Sequence, residues 1–355
     1  MAIQANSVSD AFTQMKALLS SVVPEAELRI KAELVYEILK KKDERGAIIL
    51  GHNYMEPALF HTVPDLVGDS LGLSQAAAKT DRNPIVFCGV KFMAETAKIL
   101  SPEKTVLLPA KEAGCSLAAA ITAQDVLDLK EMFPGAPVIT YVNTYADVKA
   151  VTDICCTSSN ASQVMRSIDS RQALFLPDEY LSSNVARELG KSIAIAFRGP
   201  NGSLEIEGDP AADIIGWRGR CEVHEQFTVD DIANARKQFP DVAVISHPEC
   251  TPEVVAASDY AGSTTKLVEY VKKSHSKRFL ILTECSMGDN IIAENPDKDI
   301  LRLCSVRCPH MNQITLEDTL HALQADEQLI ELPEDIRKAA YRSVERMIQI
   351  GPQKD

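Results

Sequence analysis

The sequence predicts an α/β protein of three repeated αβα units, each with a short parallel sheet, set around a pseudo-threefold axis with the active site at the centre. Three observations lead there. A frame Cys-x6-Thr-x2-Asp occurs three times, as Cys115/Thr122/Asp125, Cys221/Thr228/Asp231 and Cys308/Thr315/Asp318. Upstream of each, an apolar run reaches two polar residues spaced by two: AIILGHNY carries His52 and Tyr54, APVITYVN carries Tyr141 and Asn143, and VAVISHPE carries His247 and Glu249. Between run and cysteine, strand-like and helix-like stretches alternate, as parallel βαβ construction requires.

Taken in order, the residues from about Val8 to Lys42 read as helical and include the amphipathic ELRIKAELVYEILKKK. A last helix covers roughly Pro333 to Ile350, and both segments are assigned to packing because an amphipathic face usually covers a core. In each unit the first strand is followed by an aspartate and, five residues on, a hydroxyl: Asp65 and Ser70, Asp153 and Ser158, Asp259 and Thr264. First polar residue and hydroxyl lie 18, 17 and 17 residues apart. A helical pattern follows (SLGLSQAAAKT, SNASQVMRSI, TKLVEYVKKS), then a second strand (PIVFCGV, QALFLPDE, RFLILTEC) and a further helix. A third strand (KTVLLPA, SIAIAFR, DILRLC) leads to the cysteine, 45, 63 or 44 residues after the hydroxyl. The middle unit is longer by GPNGSLEIEGDPAADIIGWRG, whose Gly, Pro and Asn read as a loop or small hairpin. Thr122, Thr228 and Thr315 read as helix N-caps, with the aspartate three residues on completing a capping-box pattern. The expected organisation is an N-terminal helical segment 1–42, units over 43–125, 126–235 and 236–325, and a C-terminal helix in 326–355.

Composition narrows the function. Apolar residues make up 45% and charged residues 25% of 355, the balance of a globular protein with room for a substantial core. A formal charge of -13 argues against a nucleic acid partner, which needs a basic surface. There is no apolar run of about 18 residues to span a bilayer, and MAIQANSVSDAF lacks the basic start and apolar stretch of a secretion signal, so a cytoplasmic protein without a membrane partner is expected. Thiols there are kept reduced for packing, metal or catalysis.

Cys88, Cys155, Cys156, Cys250 and Cys285 read as small buried hydrophobes. Cys115, Cys221 and Cys308 are different, because repeat equivalence brings all three to one point. They suit a three-cysteine zinc site or a [4Fe–4S] cluster with one iron lacking a protein ligand, and pure thiolate ligation by residues far apart in sequence favours the cluster. Cys304 has no repeat partner and reads as a spare. The same axis gathers His52, Tyr54, Tyr141, Asn143, His247 and Glu249 with Ser70, Ser158 and Thr264. Hydroxyls at helix starts, beside unpaired backbone N–H groups, hold carboxylate or phosphate without net positive charge. Glu249, in a partly dry pocket, is expected to have its pKa raised toward neutrality and to serve as acid or base. His224 reads equally as a neighbour of the metal or a proton carrier.

Together, GHNYMEP, VGDSLGLS, FMAETAKIL, YVNTYADVKA, DICCTSSNA, CEVHEQF, HPEC, GSTT and CPHMNQI resemble the quinolinate synthase family of bacterial NAD biosynthesis, over most of the chain from about Lys41 to Leu323. The resemblance implies a transferase that condenses iminoaspartate with dihydroxyacetone phosphate to quinolinate, phosphate and water. It implies a [4Fe–4S] cluster on Cys115, Cys221 and Cys308 with an open fourth iron. His52, Ser70, Tyr141, Asn143, Ser158, His247, Glu249, Ser263 and Thr264 would bind substrate, and Tyr54, Glu249 and His52 would be catalytic. L-aspartate oxidase or aspartate dehydrogenase would supply the iminoaspartate. Some members carry Cys-x2-Cys-x2-Cys near the last ligand where this chain has Cys304-x3-Cys308, so a redox role tied to that tighter motif does not carry over. The competing readings are another iron–sulfur hydro-lyase, a zinc aldolase with three cysteine ligands, and a non-enzymatic iron–sulfur sensor.

Overall fold

In a computed structural model, which describes residues 2–352, the chain forms three mostly parallel sheets, each flanked by helices. The first has the order β2-β1-β3-β4, with β1 (Ile48–His52), β2 (Leu66–Gly68), β3 (Ile85–Cys88) and β4 (Val106–Leu107). The third repeats it as β12-β11-β13-β14, with β11 (Ala243–Ser246), β12 (Tyr260–Ala261), β13 (Arg278–Leu282) and β14 (Asp299–Arg302). The second is β6-β5-β7-β10-β8-β9, with β5 (Val138–Tyr141), β6 (Ile154–Cys156), β7 (Ala173–Leu176), β8 (Ile193–Arg198), β9 (Leu204–Glu207) and β10 (Ile214–Trp217). Strands buried on both faces read as continuous apolar runs, and β3, β5, β7 and β10 are buried at every position.

The repeated aspartate acquires a physical reason. Asp65 Oδ2 accepts from the Ile49 N–H at 2.9 Å, Asp153 Oδ2 from Val138 at 2.8 Å and Asp259 Oδ2 from Val244 at 2.7 Å. In each unit the carboxylate thus occupies a backbone donor near the start of the first strand and opens a short edge strand, β2, β6 or β12, which the apolar runs alone do not announce. The threonine caps are all present. Thr122 and Thr228 make reciprocal capping boxes with Asp125 and Asp231, whereas Thr315 accepts from the Asp318 N–H without the return bond to its own backbone.

Two sequence readings need correction. The N-terminal helical stretch is two helices, Val8–Leu19 and Glu25–Arg45, separated at Ser20–Pro24, since Pro24 suits a helix start and not an interior. The middle unit's third strand is not SIAIAFR. The run IIGW of β10, inside the supposed loop insertion, pairs with β7 in parallel and takes the place that β4 and β14 hold beside β3 and β13. SIAIAFR is β8, pushed one place outward, and β9 pairs with it antiparallel to close the edge, presenting Glu205 and Glu207 to solvent. The final helix, Glu334–Ile350, buries Ala340, Ser343, Val344 and Met347 and packs mainly on the second unit, at the helix Ala146–Ala150 and at β6. No helix among the described residues is long and apolar enough to cross a membrane.

Candidate active site

The carboxyl ends of the three sheets face one cavity, the place where ligands sit in open α/β layers. His52 and Tyr54 reach it from the first unit, Tyr141 and Asn143 from the second, His247 and Glu249 from the third. The two-residue spacing does local work. The Tyr54 N–H donates to His52 Nδ1 at 3.2 Å, and the Glu249 N–H donates to His247 Nδ1 at 3.3 Å. An Nδ1 that accepts leaves the hydrogen on Nε2, so each imidazole presents an N–H donor on its far side. In His247 that donor meets Ser158 Oγ at 3.2 Å.

Burial keeps both rings neutral. It pulls His52 down to about 4 and His247 down to about 3, against the opposing pull of Asp69 and Glu249 on the first and of Glu249 on the second. The unfolded chain therefore binds more protons than the native one between about pH 6.5 and these values, and linkage makes stability fall on acidification through that window. The expected loss is about 1.4 kcal/mol per pH unit for each ring between pH 6 and 4. Urea unfolding at pH 7 and pH 5 checks this, and His52→Gln should flatten the slope by roughly one proton.

Glu249 departs from expectation. Burial alone would raise its pKa, but His224, His247 and the bonds from His224 and Tyr141 outweigh it and hold the carboxylate below its usual range, ionised. Its Oε2 lies 2.7 Å from His224 Nδ1, and its Oε1 accepts from the Tyr141 hydroxyl at 2.5 Å. On the far side of the imidazole, His224 Nε2 lies 2.9 Å from Thr283 Oγ1, which in turn lies 2.7 Å from the Tyr54 hydroxyl. Both phenols are pushed well above their usual range, mainly by burial, and stay protonated as donors.

Cys115, Cys221 and Cys308 line the same cavity. Each precedes a short helical turn whose N–H groups point back at the sulfur: Leu117 and Ala118 at Cys115, Val223 and His224 at Cys221, His310 and Met311 at Cys308. The Met311 N–H lies 3.5 Å from Cys308 Sγ. Backbone N–H groups aimed at sulfur favour thiolate, yet burial pushes the thiols up to about 12 at Cys115 and about 11 at Cys308, and well up at Cys221. No Lys or Arg among the described residues lines the cavity to offset this, so holding all three sulfurs as thiolates would take a positive charge from outside the chain, as a bound metal would supply. His224 Nδ1, 3.2 Å from Cys221 Sγ, and Glu249 stand beside it as further donors.

Residues 36–349 match the family described as quinolinate synthetase A protein. The chain belongs to that family. A quinolinate synthase of Agrobacterium fabrum is 47% identical over 332 residues, covering 94% of this chain and 90% of the relative. One from Xylella fastidiosa is 47% identical over 90% of this chain and 86% of its own length, and quinolinate synthase 1 of Mesorhizobium japonicum is 45% identical over 92% and 94%. The chain is accordingly an enzyme of the quinolinate synthase kind.

Within this member of the family, the cavity also gathers Ser70, Ser158 and Thr264, while Ser263 lies outside it, capping the helix Thr264–Lys273 and bonding Asp69. Thr283, bonded to Tyr54 and His224, and Asp69, on the cavity wall, are neighbours of the site that the repeat does not mark. Thr283 had a signal, a lone hydroxyl closing the apolar RFLIL where the other two units have Gly89 and Pro177. Cys285 is more than a packing residue, and Cys304 more than a spare, for they form a disulfide with 5.1 Å between Cα atoms.

Proposed function

We propose that this enzyme condenses iminoaspartate with dihydroxyacetone phosphate, with loss of phosphate and water, on a [4Fe–4S] cluster held by Cys115, Cys221 and Cys308. The observation that carries the proposal is a single cavity in which three equivalent thiols, uncharged N–H and O–H donors and the ionised carboxylate of Glu249 converge, with no Lys or Arg lining it among the described residues. When bound through three cysteines, the cluster leaves one iron free as a Lewis acid for a substrate oxygen.

The remaining work falls to the chain. Substrate carboxylates and phosphate are held by the Nε2–H groups of neutral His52 and His247, by Asn143 and by the hydroxyls of Ser70, Ser158 and Thr264, with Ser263 behind them. Neutral donors in a dry site bind anions without a cation's reorganisation on product release. Asn143 Oδ1, buried without a partner, stands ready for a substrate N–H. Glu249, ionised, is the base for carbon–carbon bond formation and isomerisation, and the Tyr141 hydroxyl steadies it. Tyr54, bonded to Thr283, delivers protons to departing oxygens and is re-protonated from the His224 side. Iminoaspartate hydrolyses in water, so L-aspartate oxidase or aspartate dehydrogenase in the same cytoplasmic compartment is the fitting supplier.

The test is anaerobic turnover. Protein loaded with iron and sulfide, given dihydroxyacetone phosphate and iminoaspartate generated in situ from aspartate, is expected to form quinolinate, identified by mass and ultraviolet absorption. Loaded protein that consumes neither substrate would overturn the assignment.

A further inference from the structure

One carboxylate joins all three units at the end of the cavity where the hydroxyls gather. Asp69, of the first unit, caps the helix Ser70–Lys79 through Oδ1, which accepts from the Gly72 N–H at 2.9 Å. Its Oδ2 accepts from Ser159 Oγ of the second unit at 2.6 Å and from Ser263 Oγ of the third at 3.2 Å. Asp69, Thr157 and Ser263 stand at equivalent positions, each just ahead of the repeated hydroxyl, so the acid breaks the threefold pattern at one place only.

These side chains form a wall. Asp69 faces the inner cavity on one side and an outer hollow on the other, and Ser159 and Ser263 face only outer hollows. The inner cavity leaves about 70 Å³ free, against about 520 Å³ in the hollow beyond Ser159 and Ser263. Arg187 lines that hollow, whereas no Arg lines the inner cavity among the described residues.

We infer that Asp69 is a latch: its bonds to Ser159 and Ser263 close the hydroxyl end of the site, and parting them admits and releases anionic ligand through the Arg187 hollow. The inference rests on reading the inner cavity as the substrate pocket. Two hydroxyl–carboxylate bonds are strong enough to keep the wall shut most of the time and weak enough to part within a turnover. An anion arriving from the hollow competes for the same two hydroxyls, which gives it a way to loosen the latch.

The experiment uses the full-length, cofactor-loaded protein with labelled quinolinate as the probe, its release followed after rapid dilution. Ser159→Ala removes the shorter bond and is expected to speed both binding and release about tenfold while the equilibrium constant shifts less than threefold. Hydrogen exchange, measured with and without the cofactor, should rise about tenfold at residues 70–73 and 263–266 and stay unchanged in the helix Glu334–Ile350. Asp69→Asn should exceed both effects, and if it does not fold, Ser159→Ala still decides. Unchanged release, or weakened affinity with unchanged release, or exchange raised uniformly across the chain would each overturn the latch. Asn143→Ala, at a residue that lines the inner cavity and not the hollow, separates the two readings. If it leaves quinolinate affinity intact, the pocket is elsewhere. If it weakens affinity while Ser159→Ala leaves release unaltered, only the latch fails.

Discussion

Cys308→Ala is expected to strip the protein of iron and sulfide, roughly four of each per chain, and to abolish quinolinate formation. The reason lies in the thiol environments. With burial pushing Cys115 up to about 12 and Cys308 up to about 11, each would be a thiolate only with a metal to stabilise it, so under the proposed ligation the three charges would depend on one another through the shared group. Removing one ligand would leave two strongly basic thiols in a cavity that no Lys or Arg lines among the described residues, and the metal is then expected to be lost rather than held weakly. Repeat equivalence predicts the same for Cys115→Ala and Cys221→Ala. The fold should survive, because each thiol sits at the cavity surface and not within a sheet, and circular dichroism checks that. Cys304→Ala is the contrasting variant: Cys304 is exposed and lies outside the cavity, so its loss should leave iron and sulfide in place. A cluster retained in any of the three ligand variants counts against the ligand set.

The threefold architecture was legible because repetition converts weak local signals into a strong one. A single Thr-x2-Asp or a single His-x-Tyr means little, but each recurs with nearly constant spacing, and the structure gives the spacing a cause in strand, edge strand and helix start. What could not be read follows from the same source. Repeats report equivalent positions, so they conceal the places where equivalence breaks. β10 is four residues among Gly, Pro and Asp, and only its neighbours β7 and β8 make IIGW a strand between them. Asp69 and Ser263 bond across units, a contact no spacing within one unit encodes. Thr283 and Cys285 sit in a stretch whose counterparts carry neither hydroxyl nor thiol chemistry at the axis.

Glu249 is the clearest case of tertiary context reversing a local expectation. Considered as one buried carboxyl, it should be neutral near pH 7. The fold instead brings His224 within 2.7 Å and the Tyr141 hydroxyl within 2.5 Å, one from the loop that follows Cys221 and one from the end of β5. His247, two residues away, adds to the effect, but the two groups that bond the carboxylate lie 25 and 108 residues away in sequence, the histidine by way of a loop and the tyrosine in another sheet.

Glu249→Gln should therefore lower kcat about 10²–10⁴-fold while leaving the fold and the cluster content intact. Gln keeps the shape and an oxygen that accepts from Tyr141, so packing is preserved, but it cannot take up a proton. Substrate binding should change less, because in the proposed division of roles the carboxylate acts in proton transfer and the anionic groups are held by His52, His247 and the hydroxyls. KM is expected to stay within about fivefold, the pattern of a group that acts in the transition state and not in uniform binding. The ionised state also sets the pH behaviour. A carboxylate held below its usual range stays available as a base down to at least about pH 5, so any acid limb of kcat above that pH belongs to another group. In Glu249→Gln such a limb should persist at its wild-type position on a lower rate. Residual kcat within fivefold of wild type, with iron and sulfide unchanged, would remove Glu249 from the proton transfers and leave it as a support for His224 and Tyr141.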